Sequence, residues 1–371
     1  MSNSLVPLLV FGIPGIIFLM IGLGFMVYRG LLSMPPKDEA FIQAWCRERG
    51  DLADEDLELP WLVERVPSPQ GYEIVVHALE GEGDGLVLIQ HGITWSWLGM
   101  MRYVRAFHSA GWTVVALDSR GHGETKGPRP SYGWHERHDL KAVADWAFAR
   151  FGRAAGSGPS SGGSATASGG SATASGGSAT ASGGSSAPPA EPETGASAQA
   201  AGGLFAVLGV SMGAASVIHY AALDPRLDAV IADCPFSSLA AELDHRLKRA
   251  MVPFFARPAI VRIADAFCRA KEGFSLYEIR PDRAMLETEV PMLFVHGLAD
   301  DYVPWKMSLT MAERRRRELP EALTELRLVP EAKHARSIAV DPEGYARSLA
   351  EFLAQAEERK LAAKASPERG A

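Results

Sequence analysis

The run Gly209-Val210-Ser211-Met212-Gly213 sets one serine between two glycines, directly after the apolar stretch Leu204–Leu208 and before a helical stretch of small residues. A strand, a tight glycine-flanked turn and a helix would force the Ser211 hydroxyl out at the end of a sheet. That hydroxyl attacks a carbonyl only when a base takes its proton, and the base works when a carboxylate orients it. Four histidines follow Ser211: His219, His245, His296 and His334. His219 falls about two turns into the next helical stretch and reads as a packed helix residue. His245 sits in a charged helical stretch, and His296 ends an apolar run before Gly297 and reads as a structural turn residue. His334, between the last apolar run and the last helical pattern, is the expected base. For the acid, Asp300 and Asp301 stand side by side after Met292–Val295, and residue type does not choose between them. An oxyanion needs two converging N–H groups. Met212 follows the serine and supplies one; Ile93, in Gln90-His91-Gly92-Ile93-Thr94, supplies the other, with Gly92 allowing close approach and His91 structural. Trp95 and Trp97 either line an acyl pocket or pack under a cap over the site.

Such residues, scattered from 93 to 334, must be gathered by a scaffold. Tyr72–Leu79 alternates as a strand, and Leu86–Ile89, Thr113–Leu117, Leu204–Leu208, Ala229–Ala232, Met292–Val295 and Leu326–Val329 are short apolar runs of the kind buried on both faces of a sheet. Helical patterns lie between them: Leu140, Val143, Ala144, Ala147 and Phe148 share one face, and Tyr345, Leu349, Phe352 and Leu353 another. Strands alternating with helices predict an α/β fold, a mostly parallel sheet covered on both sides. Residues 236–283 hold bulky apolar residues on helix-forming sequence and predict a helical cap over the site. Residues 152–203 are Gly, Ser, Ala, Thr and Pro with almost no large apolar side chain, and predict a disordered insertion.

Composition narrows the function. The chain has 371 residues, 47% hydrophobic, and a net charge of -7, enough for one large domain and unlike a nucleic-acid binder. Its basic run, Arg314–Arg317, reads as a solvated helix end. Cys46, Cys234 and Cys268 show no metal or redox spacing, so no metal and no cofactor are expected, and the thiols read as reduced. Leu5 to Tyr28 carries no charge. About 24 residues at about 1.5 Å each give about 36 Å, against a hydrocarbon core of about 30 Å, so an uncleaved N-terminal transmembrane helix is expected. Arg29, Lys37, Arg47 and Arg49 all follow it, which places the remainder in the cytoplasm. The organisation expected is an anchor at 1–34, a connection at 35–70, the main domain at 71–356 and a tail at 357–371.

In combination, these motifs resemble the serine α/β-hydrolase superfamily over roughly residues 70–356. His91-Gly92 resembles its oxyanion loop, Asp118–Thr125 its structural Asp-x-Arg-Gly-His-Gly turn, Gly209–Gly213 its nucleophile turn, His296–Pro304 its acid loop and Lys333-His334-Ala335 its histidine loop. The resemblance implies that Asp300 is the acid, and that the fold is an α/β-hydrolase fold. Ile231–Ser238 also resembles a bacterial subgroup of membrane-anchored, esterase- or lipase-like hydrolases. The resemblance implies a carboxylesterase acting through an acyl-enzyme; the expected anchor and apolar cap point to a small-molecule or lipid-like acyl substrate. A serine peptidase or an acyltransferase would use the same triad, and a non-catalytic binding protein could keep the fold.

Overall fold

The computed structural model describes residues 12–151 and 203–365. The low-complexity insertion expected at 152–203 lies outside the described residues except for Gly203. One sheet holds eight strands: β1 (Leu62–Pro67), β2 (Glu73–Leu79), β3 (Leu86–Gln90), β4 (Thr113–Leu117), β5 (Phe205–Val210), β6 (Ala229–Asp233), β7 (Met292–Gly297) and β8 (Thr324–Val329). Their order is β1-β2-β4-β3-β5-β6-β7-β8; β2 is antiparallel to β1 and β4, and β3 through β8 run parallel. From β3 the chain steps to β4 on one side and then returns to β5 on the other. Neighbouring strands whose connections leave in opposite directions open a crevice at their carboxyl ends, where ligands bind in open α/β sheets.

Among the described residues, the helices of eight or more residues are α1 (Ile13–Leu32), α2 (Glu39–Glu48), α3 (Met101–His108), α4 (Glu136–Phe151), α5 (Met212–Tyr220), α6 (Leu239–Arg249), α7 (Arg257–Glu272), α8 (Lys306–Glu318) and α9 (Pro342–Ala365). The two-residue period of the strands sorts their side chains between two cores. Val87, Ile89, Val114, Ala116, Leu208 and Ile231 join Phe107 of α3 and Phe352 of α9 on one face. Leu86, Leu88, Val115, Leu117, Val207 and Val230 join α4, α5 and Met311 of α8 on the other. Each wholly buried leucine or valine in these layers contributes about 1.5–3 kcal/mol relative to exposure. That is why the central strands are built almost wholly from apolar residues.

A third apolar cluster lies off the sheet. Tyr28, Leu31 and Leu32 at the end of α1 join Leu239 and Leu243 of α6, Ile260 and Val261 of α7, and Met212 beside the serine. Residues 236–283 therefore form helices, as the composition predicts, and these helices meet the last turns of α1.

Three features differ from the sequence reading. The sheet begins inside the connecting segment: Leu62–Pro67 pairs with Glu73–Ile74 and onward along β2 as an edge strand. Arg315, expected in a solvated helix end, is fully buried. Its guanidinium donates to the carbonyls of Met285, Thr288, Val290 and Leu323 and to Thr324 Oγ1. These acceptors come from loops distant in sequence, and they replace the water it loses; burial lowers its pKa to about 10. Trp95 and Trp97 belong to the core on the α3–α9 side, Trp97 stacked on His77 with ring centroids 3.9 Å apart.

Candidate active site

Ser211 stands at the carboxyl end of β5, next to the carboxyl end of β3. Its backbone is at φ 56°, ψ −112°, which a non-glycine residue adopts only under constraint, at a cost of about 1–3 kcal/mol. The constraint is visible in its flanking glycines. A Cβ at Gly209 would lie 2.2 Å from the Gly213 carbonyl oxygen, and one at Gly213 would lie 2.2 Å from that of Gln90. No side chain fits at either position, so the turn can be this tight only with glycine at both. The Ser211 N–H donates to the Asp233 carbonyl at 2.8 Å, which fixes the turn against β6.

The expected base reaches the serine. His334 Nε2 lies 2.9 Å from Ser211 Oγ, and His334 Nδ1 lies 2.7 Å from Asp300 Oδ2. A carboxylate only accepts, so Nδ1 carries the proton and Nε2 is left bare toward the hydroxyl. Ser211 and Asp300 are buried, and His334 is partly exposed at 23% of its side chain. Asp300 Oδ1 accepts from the N–H groups of Tyr302 and Val303, each at 2.9 Å. Burial would raise the Asp300 pKa, but the hydrogen bonds from His296 and His334, the electrostatic pull of His334 beside it and the Val303 N–H together hold it well below the usual carboxylate range. Asp301, the neighbouring candidate, points outward, 77% exposed, and pairs with Arg249 at 3.1 Å.

The oxyanion candidates flank Ser211, Met212 in sequence and Ile93 through its neighbour Gly92. Met212 opens α5, so its N–H has no partner within the helix and lies at the positive end of the helix dipole. Gly92 lies against Ser211; a Cβ there would be 3.4 Å from Ser211 Cβ. The Gly92 carbonyl lies 2.7 Å from His91 Nδ1, while His91 Nε2 accepts from the Ser119 N–H at 2.9 Å. His91 Nδ1 is therefore the protonated nitrogen. Burial, with the neighbouring His122 adding to it, lowers the His91 pKa to about 3, so the ring stays neutral. Because a trans peptide sets its C=O and N–H on opposite sides, holding the Gly92 carbonyl on His91 turns the Ile93 N–H away from it. That N–H takes no backbone hydrogen bond among the described residues. His122 Nε2 accepts from the Thr94 N–H at 3.0 Å and steadies the same loop.

Several contributing residues escaped the sequence reading. His296 is a further partner of Asp300: its Nε2 lies 3.1 Å from Asp300 Oδ2 and 3.0 Å from the Val303 carbonyl, and its Nδ1 lies 2.7 Å from Ser308 Oγ. Two acceptors at Nε2 make that nitrogen the donor, with Nδ1 accepting from the serine. The four-residue spacing of His296 and Asp300 was the available signal. The ring of Tyr302 lies 4.8 Å from that of His334, and the Arg246 guanidinium sits over Tyr302 at 4.2 Å. Arg336 pairs with the buried Asp51, which also pairs with Arg102, tying the histidine loop to the connecting segment. No local pattern signals that contact.

Among the described residues, Cys234, Asp300 and His334 offer ligand atoms within 4.8 Å of one another. The donor set does not suit a metal. Asp300 and His334 are engaged with each other, and burial pushes the Cys234 thiol far above its ordinary range, whereas a metal needs the thiolate. A cleft of about 510 Å³ between α3 and α9 is lined by Arg102, Arg105, His108, Ser109, Ile338 and Tyr345, and neither Ser211 nor His334 reaches it.

Comparison with known proteins bears on the family and the fold. A family model described as X-Pro dipeptidyl-peptidase (S15 family) matches residues 48–262. A Bacillus subtilis (strain 168) protein described as uncharacterized, YqkD, is 27% identical over 291 residues, 78% of this chain and 77% of that protein. The Pyrococcus furiosus esterase Pf2001 superposes with a TM-score of 0.57 at 19% identity, covering 86% of this chain and 97% of its own. The alpha/beta hydrolase GrgF from Penicillium sp. sh18 gives 0.50 at 14% identity, covering 81% and 100%. The structural matches show the shared α/β-hydrolase fold. The family match includes Ser211 and Ile93 but ends before Asp300 and His334.

Proposed function

The chain belongs to the X-Pro dipeptidyl-peptidase (S15) family of serine hydrolases, and from that premise we propose that it hydrolyses a carboxylic ester with Ser211 as nucleophile, His334 as base and Asp300 as the orienting acid. The observation that carries the reading is the unbroken line of hydrogen bonds from Asp300 through His334 to Ser211, at 2.7 and 2.9 Å. His334 Nε2 takes the Ser211 proton as Oγ bonds to the carbonyl carbon, and the carbonyl electron pair moves onto oxygen. The Ile93 and Met212 N–H groups receive that oxyanion; one such donor is worth about 3–4 kcal/mol of barrier. The intermediate collapses, the bond to the leaving alkoxide breaks, and the alkoxide takes the proton from His334. Water then repeats the sequence on the acyl-enzyme, with His334 again the base, and releases the carboxylic acid.

The family description favours a second reading, hydrolysis of a peptide bond, which the same residues would carry out with an amine leaving group. A fluorophosphonate probe on the full-length protein tests the shared mechanism. Wild type should label and Ser211→Ala should not; equal labelling of both refutes it. Turnover of acyl esters of graded chain length, set against X-Pro peptides, then separates the two readings.

The N-terminal helix α1 is long and apolar enough to cross a membrane. We read it as an anchor, with the hydrolase on the cytoplasmic side because Arg29, Lys37, Arg47 and Arg49 follow the span. The substrate we expect is a small or lipid-like acyl compound. A reporter fused to the C-terminus and found active on the outer side of the membrane would overturn the orientation.

A further inference from the structure

Helix α1 does not leave the protein freely. It packs along α7, and the two run in the same direction. A Cβ at Gly24 would lie 2.4 Å from Ile263 Cγ2 and 3.2 Å from the Ile260 carbonyl oxygen. Phe25 and Tyr28 both meet Phe267, with ring centroids 5.1 and 5.9 Å apart, and Tyr28 Oη donates to Glu272 at 2.6 Å. Positions thus rise together on both helices. Followed backward, the start of α7 falls beside Met20, which packs in the same cluster as Val252 and Ala256. Beyond that level α1 shows only exposed apolar side chains, Ile16, Ile17, Phe18 and Leu19.

At the same level the chain between α6 and α7 turns outward. Met251, Phe254 and Phe255 are 88%, 75% and 74% exposed, while Val252 between them packs inward. The turn is built rather than slack. The Met251 N–H bonds to the Lys248 carbonyl, the Val252 N–H to that of Leu247 and the Ala256 N–H to that of Pro253. The two phenylalanine rings lie 5.7 Å apart. Lys248 and Arg249 precede the turn and Arg257 follows it; Arg249 pairs with Asp301 and Arg257 with Asp244. Large exposed apolar side chains held together mark an interaction surface. Aromatic tips with cations set behind them match the order of layers at a bilayer surface, hydrocarbon inside and headgroups outside.

We propose that the Met251–Phe255 turn is a second membrane contact, inserted into the same leaflet through which α1 passes, so that the cap lies on the bilayer. The bilayer is the one occupant that must already be present at the level where the apolar part of α1 emerges. The inference rests on reading α1 as an anchor and is independent of the chemistry at Ser211. It has a consequence for the substrate: apolar contacts run without a break from Met20, Leu23 and Val27 through Ile260 to Met212 and Ile93 beside the nucleophile. The cap surface nearest the membrane and the site belong to one packed unit.

The test uses the full-length protein in phosphatidylcholine–phosphatidylglycerol vesicles. The native cysteines are all buried, so a thiol-reactive fluorophore reports only on an introduced one. Three variants are labelled singly: Phe18→Cys on α1, Phe255→Cys in the turn and Leu361→Cys near the end of α9. Quenching is read with a nitroxide carried on the lipid acyl chain and with aqueous iodide. The proposal expects Phe18 and Phe255 labels to lose most of their emission to the lipid nitroxide and little to iodide, with the reverse for Leu361. Lipid quenching at Phe18 but iodide quenching at Phe255 overturns the second contact and leaves the anchor standing. Iodide quenching at both overturns the anchor as well. Protection of Phe255 from both quenchers means that protein covers the turn, another part of this chain or a second copy, and also overturns the proposal.

Discussion

Replacing Asp300 by Asn tests the acid assignment at one atom. Asp300 Oδ1 accepts from two backbone N–H groups, Tyr302 and Val303, and only an oxygen can remain there. The amide nitrogen of Asn must therefore occupy the Oδ2 position, 2.7 Å from His334 Nδ1 and 3.1 Å from His296 Nε2. Two donors cannot face each other, so His334 shifts to the tautomer with bare Nδ1 and protonated Nε2. That Nε2–H now points at Ser211 Oγ and cannot accept its proton. The expected loss in kcat is about 10⁴-fold, the size seen when a triad acid becomes an amide, or about 5.5 kcal/mol of barrier. Asp301→Asn removes only a solvent-exposed pair with Arg249, worth about 0–1 kcal/mol of stability, and should leave turnover within about twofold of wild type. The assay is hydrolysis of a short-chain chromogenic ester by full-length protein in detergent micelles, with thermal unfolding recorded to show that each variant is folded. A folded Asp300→Asn variant within tenfold of wild type, or a larger loss in Asp301→Asn, refutes the reasoning.

Other expectations concern groups around the site. His77, stacked on Trp97, has its pKa lowered by burial from 6.5 to about 4. Above pH 6.5 it is neutral in both states and contributes nothing; below that the unfolded chain protonates first, and stability falls until about pH 4. At pH 5 the deficit is about 2 kcal/mol, so His77→Phe should show a smaller drop in unfolding free energy between pH 7 and pH 5 than wild type. Parallel curves would remove His77 as the cause. His296→Phe takes a buried donor from Asp300 without touching substrate; kcat should fall about 10- to 100-fold, as for a lost hydrogen bond to a charge, with KM unchanged. A change confined to KM would contradict a positioning role. Deleting residues 1–34 removes Leu31, whose carbonyl accepts from Tyr132 Oη at 2.8 Å, and uncovers the cluster beside Met212. The truncated protein should melt lower and turn over more slowly than full-length protein in the same detergent; equal melting and turnover would make α1 a mere tether.

What could be read before folding was what local sterics and periodicity dictate. Ser211 was legible because only glycine fits at 209 and 213, and the strands because burial on both faces leaves an unbroken apolar run. β1 was not, because Glu64 and Arg65 on an edge strand face solvent and hide the alternation. Asp300 and Asp301 could not be separated by residue type, since one residue of advance around a turn reverses a side chain's direction. The resemblance of the acid loop chose Asp300, and the structure brings Asp300, not Asp301, to His334. Arg315 was misread because its acceptors are carbonyls 25 to 30 positions away in the chain at Met285, Thr288 and Val290, and composition carries no trace of them. His296 illustrates the same limit from the other side. Its place at a strand end was legible, but its hydrogen bond to the acid exists only once β7 and its loop are folded together.

Helix α1 shows why an apolar span is ambiguous in a sequence. A helix apolar on all sides can face lipid or protein, and hydropathy scores both alike. Two residues break the tie. Tyr28 would be poorly placed deep in hydrocarbon, yet here its hydroxyl bonds to Glu272 and accepts from Arg129 at 3.1 Å. Gly24 leaves space that Ile263 fills. The last turns of α1 thus pack on protein through Gly24 and Tyr28, while Phe25 and Met26 stay 43% and 62% exposed on its other side. The chain leaving α1 then reaches the site directly, because the Lys37 N–H donates to the Thr94 carbonyl at 2.8 Å, one residue beyond the proposed oxyanion donor Ile93. A displacement of α1 has a short, hydrogen-bonded route to that loop. A shift of about 1 Å in a positioned group can cost about 100-fold in rate. On the proposed reading of α1 as an anchor, fixing it in a bilayer bears on catalysis as well as on location, and activity should depend on the lipid or detergent that surrounds it.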